Sequence, residues 1–258
     1  MLKFKVVNSI FILLAIVLLV LNRTIDFPNY IYGLFFLSWF CITTIGSFNI
    51  LWNYHLNAYN SNPIISGKKV AITFDDGPNE IITPKILALL KKFNAKATFF
   101  CIGKNIEANP TLFKQLVEEG HVIGNHSYTH SNNFGFFSKS TVIDEIIKTN
   151  KLSHSLIGKE MKLFRPPFGV TNPSINKALI QTKHHVIGWN VRSLDTVIKD
   201  ENKIFNRITK YLKTGDVILL HDTNERSVNV LEQLLLFLQE NKFEISTVDT
   251  LFELEVYA

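Results

Sequence analysis

Three observations predict an α/β domain with a mainly parallel sheet, set behind an N-terminal pair of membrane helices. Short apolar runs alternate with helical patterns from residue 67 to the end of the chain, the signature of strands joined by helical crossovers. Two long, nearly uncharged apolar runs come first. Ionisable residues cluster just after the predicted strands, as they do on the active-site face of barrel-like α/β folds.

In the leading region, residues 31–52 carry no charge and are rich in Leu, Phe and Ile. A helix of that span is about 33 Å long at ~1.5 Å per residue, enough to cross a hydrocarbon core. Residues 6–21 form a shorter apolar run. A cleaved signal peptide fits less well, because no small-x-small site precedes Arg23 and a second apolar run comes soon after. Residues 1–52 therefore read as a transmembrane hairpin, tightly connected through Pro28, and residues 53–66 as a polar linker. Residues 67–258 are the expected catalytic domain.

Strands are expected at 69–74, 97–102, 121–124, 162–164, 184–189, 216–220 and 244–248. Helices are expected at 83–93, 105–119, 141–157, 173–182, 201–212 and 228–241. Thr83 is a candidate cap with Pro84 at the first helical position, and Pro110 moves the start of the second helix to near Asn109. No GxGxxG or Walker-type loop is present, which disfavours the nucleotide-binding members of this class.

The chain has 27 Lys/Arg against 22 Asp/Glu. Setting aside Lys3, Lys5, Arg23 and Asp26 leaves a dispersed net charge of +3 after residue 66, too weak for a nucleic-acid partner. Cys41 and Cys101 fall in unrelated segments, so neither a disulfide nor a structural zinc site is expected.

Thr73-Phe74-Asp75-Asp76-Gly77-Pro78 ends the first expected strand, and His126-Ser127-Tyr128-Thr129-His130 comes after the third. One Asp and both His can ligate a metal while leaving positions for water and substrate, and the other Asp can take a proton from that water. Adjacent carboxylates repel one another, and a cation relieves the repulsion. Arg165, in Arg165-Pro166-Pro167-Phe168-Gly169, could hold a carboxylate in bidentate fashion if buried. His221 closes the run Val217-Ile218-Leu219-Leu220, and near its ordinary pKa would suit proton donation. His121, His154, His184 and His185 read as surface or satisfied core residues.

Together these segments resemble the polysaccharide deacetylases of the NodB-like carbohydrate esterase family 4, over roughly residues 67–250. The resemblance implies a distorted (β/α) barrel of about seven strands and hydrolysis of N- or O-acyl groups on sugars. It implies one divalent metal ion, usually Zn2+ with other divalent ions in some members, on Asp76, His126 and His130. Asp75 would be the base, Arg165 its orienting partner and His221 the acid. The Phe168 backbone N–H would hold the oxyanion, and Leu219 would line the acyl pocket. The family often carries Asp-x-x-Asp-Trp before the last histidine. Here Trp189-Asn190-Val191-Arg192-Ser193-Leu194-Asp195-Thr196 has Arg192 and Thr196 in place of the first Asp and the Trp. Asp195 remains, and we expect it to pair with His221. Trp189 is a further candidate substrate contact, and the absent Trp leaves one pocket wall unassigned.

The expected partners are an acetylated glycan (peptidoglycan, chitin-like or another envelope polysaccharide) and the lipid bilayer. Lys3 and Lys5 favour a cytoplasmic N-terminus and domain, whereas an envelope glycan calls for the opposite side. Two rivals make other forecasts. A catalytically inactive, membrane-tethered glycan-binding protein would bind without releasing acyl groups. A non-haem iron oxygenase would require oxygen and leave the second Asp without a task.

Overall fold

The computed structural model describes residues 2–258. Two helices lead the chain, α1 (Phe4–Leu21) and α2 (Asn29–Phe48), both long and apolar enough to cross a membrane, with Val7 and Gly46 their buried residues. They pack against each other through Phe11 on Phe35 and through Trp39, whose indole N–H donates to Asn8 Oδ1 at 2.8 Å. The base of the hairpin is tied to residues 53 and 54, just beyond α2. Lys3 Nζ donates to the Asn53 carbonyl, and Gly46 lies so close to the Tyr54 ring that a Cβ there would sit 2.5 Å from it.

The segment after the hairpin joins the sheet. Tyr54, His55 and Leu56 are buried, and β1 (Ala58–Tyr59) forms an edge strand. Next come β2 (Lys69–Asp75), α3 (Ile82–Lys92), β3 (Thr98–Cys101), α4 (Gly103–Ala108), α5 (Pro110–Glu118), β4 (Val122–Asn125), α6 (Lys139–Ile157) and β5 (Leu163–Phe164). The chain continues through α7 (Pro173–Thr182), β6 (His185–Ile187), β7 (Val191–Arg192), α8 (Glu201–Thr209), β8 (Val217–His221), α9 (Glu225–Glu240), β9 (Glu244–Ser246) and α10 (Val248–Phe252).

Among the described residues nine strands form one curled sheet, ordered β1-β6-β5-β4-β3-β2-β8-β7 with β9 also on β2, and every ladder is parallel. This is the distorted (β/α) barrel expected, open and curled as a half-barrel. The seven expected strands are present, and β1 and β7 are additional two-residue strands at the two ends.

Strand periodicity sets the site. Successive side chains of a strand point to opposite faces. Val70, Ile72 and Phe74 of β2, with Ile218 and Leu220 of β8, join Leu231, Leu234 and Leu238 of α9 in the outer core. Ala71, Val217 and Leu219 belong instead to the inner cluster. By the same alternation Thr73, Asp75 and His221 point inward. Burying each large apolar side chain contributes roughly 1.5–3 kcal/mol, so the register of these two strands is strongly enforced.

Four of the helices start at satisfied side-chain caps. Ser138, Asn172, Asp200 and Asn224 each accept the backbone N–H three residues on, and Pro173 occupies the first turn of α7. The start of α3 differs from expectation. Asn79, not Thr83, accepts the N–H groups of Ile81 and Ile82, while Thr83 is inside the helix and donates its hydroxyl to Asp222. Pro110 does open a helix, α5, but an additional short helix, α4, precedes it. Cys41 and Cys101 are both free thiols.

Candidate active site

The register of β2 on β8 places Asp75 directly beside His221 at the C-terminal ends of two parallel strands. Asp76, the next residue, turns with φ 76. From β4 the chain enters the His126–His130 turn, with positive φ at Ser127 and His130. No helical turn forms there, contrary to the simplest way of bringing two histidines four apart together. Asn125 Oδ1 accepts the Ser127 N–H, Ser127 Oγ accepts the His130 N–H, and Glu145 of α6 accepts from both Tyr128 N–H and Thr129 N–H. Backbone in this region costs about 1–3 kcal/mol per non-glycine residue, and these bonds hold it in place.

The turn aims both imidazoles at Asp76. Asp76 Oδ1 lies 3.4 Å from His126 Nε2 and 3.3 Å from His130 Nε2. Ligand atoms of a tetrahedral zinc site with ~2.0–2.1 Å bonds are about 3.3 Å apart, so the donor set fits one divalent ion. His126 Nδ1 is 2.7 Å from the Arg165 carbonyl, which fixes that nitrogen as the N–H donor and leaves the Nε2 lone pair free to bind.

The electrostatics fit a cation. Burial opposes charge on His126, but Asp75 and Asp76 outweigh it and raise the pKa. Burial, helped by His126, lowers that of His130 to about 4. Burial alone would raise Asp76, yet the hydrogen bond and charge of His126 bring it down to about 2. Two carboxylates around His126 thus create a demand for positive charge that either a proton or a divalent ion meets.

Arg165 is fully buried, lying 4.1 Å from the centroid of the Phe100 ring. Nη1 donates to Asp75 Oδ1 at 2.7 Å and to Thr73 Oγ1 at 2.8 Å, Nη2 to the Gly188 carbonyl, and Nε to the Ile187 carbonyl. The contact with Asp75 is therefore through one nitrogen and not bidentate, since the rest of the fork is committed to the β6 end. Burial pulls the guanidinium pKa down, and the Asp75 charge opposes that pull.

Opposite, His221 Nδ1 meets Asp195 Oδ1 at 2.7 Å. Asp195 is wholly buried and also accepts from the His221 N–H, Ser193 Oγ and Ser227 Oγ. Burial alone would raise the Asp195 pKa, but the His221 bond outweighs it and lowers it. Burial likewise disfavours the imidazolium, yet the Asp195 bond and charge raise His221 to about 9. His221 is thus far from its ordinary pKa, because a buried anion sits behind it.

These groups line a pocket of about 210 Å³ with Phe168, Trp189 and Leu219. Phe168 has φ 59, and its ring centroid is 4.7 Å from that of His130. Gly169 comes next with φ 69 and passes so close to Trp189 that a Cβ would sit 2.6 Å from the indole. The wall without a sequence assignment is supplied by Arg192 and Thr196, and the Arg192 guanidinium lies 5.9 Å from the Trp189 ring centroid. Sequence patterning does not single out Ser193, Ser227 or Glu145, and nothing local marks them. Asp222 is also unmarked, although its place directly after His221 is a usable signal. It is wholly buried against Gly77, and burial pushes its carboxyl up to about 7.

A curled parallel sheet with an Asp–His–His donor set beside a second carboxylate and an Asp-backed imidazole is the arrangement expected of the deacetylase class, and the comparisons agree. A model of the polysaccharide deacetylase family matches residues 64–187. A peptidoglycan-N-acetylglucosamine deacetylase of Bacillus cereus is 37% identical over 192 residues, covering 71% of this chain and 88% of its own. The crystal structure of the Bc1960 peptidoglycan N-acetylglucosamine deacetylase in complex with a substituted N-oxidanyl-benzamide superposes with TM-score 0.72 and 33% identity over 77% of this chain and 93% of that one. A family pseudoenzyme from Bacillus anthracis superposes with TM-score 0.69 and 26% identity, over 75% and 67%. The chain belongs to the NodB-like polysaccharide deacetylases of carbohydrate esterase family 4.

Proposed function

We propose that the protein is a membrane-anchored, metal-dependent deacetylase that removes acetyl groups from an envelope glycan, with the N-acetylated sugars of peptidoglycan as the leading substrate. The carrying observation is the placement of Asp75, held by Arg165, and His221, held by Asp195, beside the Asp76–His126–His130 donor set. The relatives named for peptidoglycan support the substrate class. The apolar α1–α2 hairpin supports anchoring, with residues 1–52 in the membrane and 53–66, which add β1 to the sheet, leading into the catalytic residues 67–258.

Asp76, His126 and His130 would hold a divalent ion, Zn2+ by donor chemistry, which would supply Lewis-acid polarisation of the acyl carbonyl and a lowered pKa for water. Asp75, whose Oδ2 is not engaged by Arg165, takes the proton of the attacking water. The Phe168 backbone N–H donates to the oxygen that gains charge in the transition state. His221 gives its proton to the departing sugar nitrogen or oxygen, and Asp195 keeps it charged until then. Leu219 and Trp189 enclose the acyl methyl, and Arg192 and Thr196 close the remaining side.

The bacterial pseudoenzyme shows that this fold also occurs without turnover, so activity must be measured. The test is acetate release from peptidoglycan, chitin oligosaccharides and acetylated xylan, with and without Zn2+. Metal-dependent release is expected. Tight glycan binding with no release under any divalent metal would favour a tethered binding protein.

A further inference from the structure

An apolar groove of about 690 Å³ separates the C-terminal half of α2 from the rim of the active-site pocket, a size that accommodates a lipid-like ligand. Trp39, Phe40 and Thr44 of α2 line one wall, and Phe136, Phe168 and Val170 line the other. Phe168 belongs to both spaces, since it also lines the pocket holding Asp75 and His221. Phe136 is 90% exposed, and Phe36, Phe40 and Phe48 beside it are exposed as well, so the groove is continuous with a large apolar surface.

The end of α2 is fixed against the site. The Thr171 N–H, three residues after Phe168, donates to the Ser47 carbonyl at 2.9 Å, and Ser47 Oγ meets His55 Nε2 at 3.0 Å. With α2 in a bilayer, hydrocarbon is what reaches this groove. A second cleft, at the foot of the hairpin, carries Lys3, Lys5, Lys177 and Lys183, which places positive charge where anionic headgroups would lie.

We propose that the groove holds the hydrocarbon tail of a lipid-linked acetylated glycan and presents its sugar to the pocket across Phe168. This rests on the deacetylase reading and on α2 as a membrane span, and it names the substrate class: a glycan still attached to lipid, in preference to a free polymer.

The experiment uses the full-length protein in nanodiscs with Zn2+, and tetra-N-acetylchitotetraosides bearing either a methyl or a hexadecyl aglycone. Acetate release should show a KM at least roughly tenfold lower for the hexadecyl glycoside, the equivalent of burying only about two methylenes, at similar kcat. Thr44→Trp, which fills the groove, and Phe136→Ser, which removes an exposed part of its wall, should each abolish that preference and leave the methyl glycoside rate unchanged. Equal KM values in the unaltered protein would overturn the tail site and leave the deacetylase standing. A preference that persists in both variants reflects partition into the bilayer alone and also overturns it. No acetate from either glycoside, nor from peptidoglycan assayed alongside them, with any divalent metal sinks the deacetylase reading, and the tail site with it.

Discussion

The two walls of the pocket use the same device in opposite orientations. On one, a buried Arg165 stands behind Asp75; on the other, a buried Asp195 stands behind His221. In both pairs the inner member is sealed from solvent and its side chain is held by further hydrogen bonds, while the outer member faces the reacting space. Where the cation is inside, a carboxylate is presented, ready to accept a proton. Where the anion is inside, an imidazolium is presented, ready to give one. Which member lines the pocket, and not the residue type alone, divides acid from base.

The largest expected effect comes from removing either outer member. Asp75→Asn and His221→Ala should each lower kcat by about 10²–10⁴-fold while metal content, read by atomic emission, stays at one per chain. Near-normal acetate release by both would sink the assignment of roles.

Removing an inner member should act on the fold as well. Arg165→Met leaves Asp75 and the Gly188 and Ile187 carbonyls without their donor, and breaking a buried pair in this way costs about 3–5 kcal/mol. The urea midpoint should fall accordingly, and an unchanged midpoint would contradict the burial argument. Chelation should be milder for the fold. Removing metal with a chelator should abolish turnover and restore mutual repulsion at Asp75–Asp76, with a smaller loss of thermal stability that returns on adding Zn2+. The smallest effect is expected at the wall that departs from the family pattern: Thr196→Trp should change KM by only a few-fold, with kcat and its pH profile retained.

The central sheet is readable in the sequence because its strands are short, apolar and separated by helices with amphipathic patterns, four of them opening at side-chain caps. The positions that meet in the pocket are also readable, because Asp75, His126, Arg165 and His221 each lie at or just after the end of a strand, and parallel strands bring their ends together. Other features depend on contacts between distant segments. The two-residue strands β1 and β7 exist only because a neighbouring strand end is there to pair with. The shape of the His126–His130 turn depends on Glu145 from the middle of α6. The single-nitrogen contact of Arg165 arises from carbonyls at 187 and 188 that compete for its fork. The high pKa of His221 comes from the burial of Asp195 under Ser193 and Ser227, which spacing along the chain does not reveal.

The most direct test of the inverted pairs is the pH dependence of kcat/KM for the protein and its Asp195→Asn variant, both loaded with Zn2+. His221 gains its proton affinity from Asp195, so the acid form is present below about 9 and is lost as pH rises through that value. With the carboxylate neutralised, the alkaline limb should move down toward the ordinary histidine range. Activity at high pH should then fall further than activity at low pH. An alkaline limb that stays in place would show that His221 does not owe its charge to the buried anion behind it, and the account of the acid wall would be wrong.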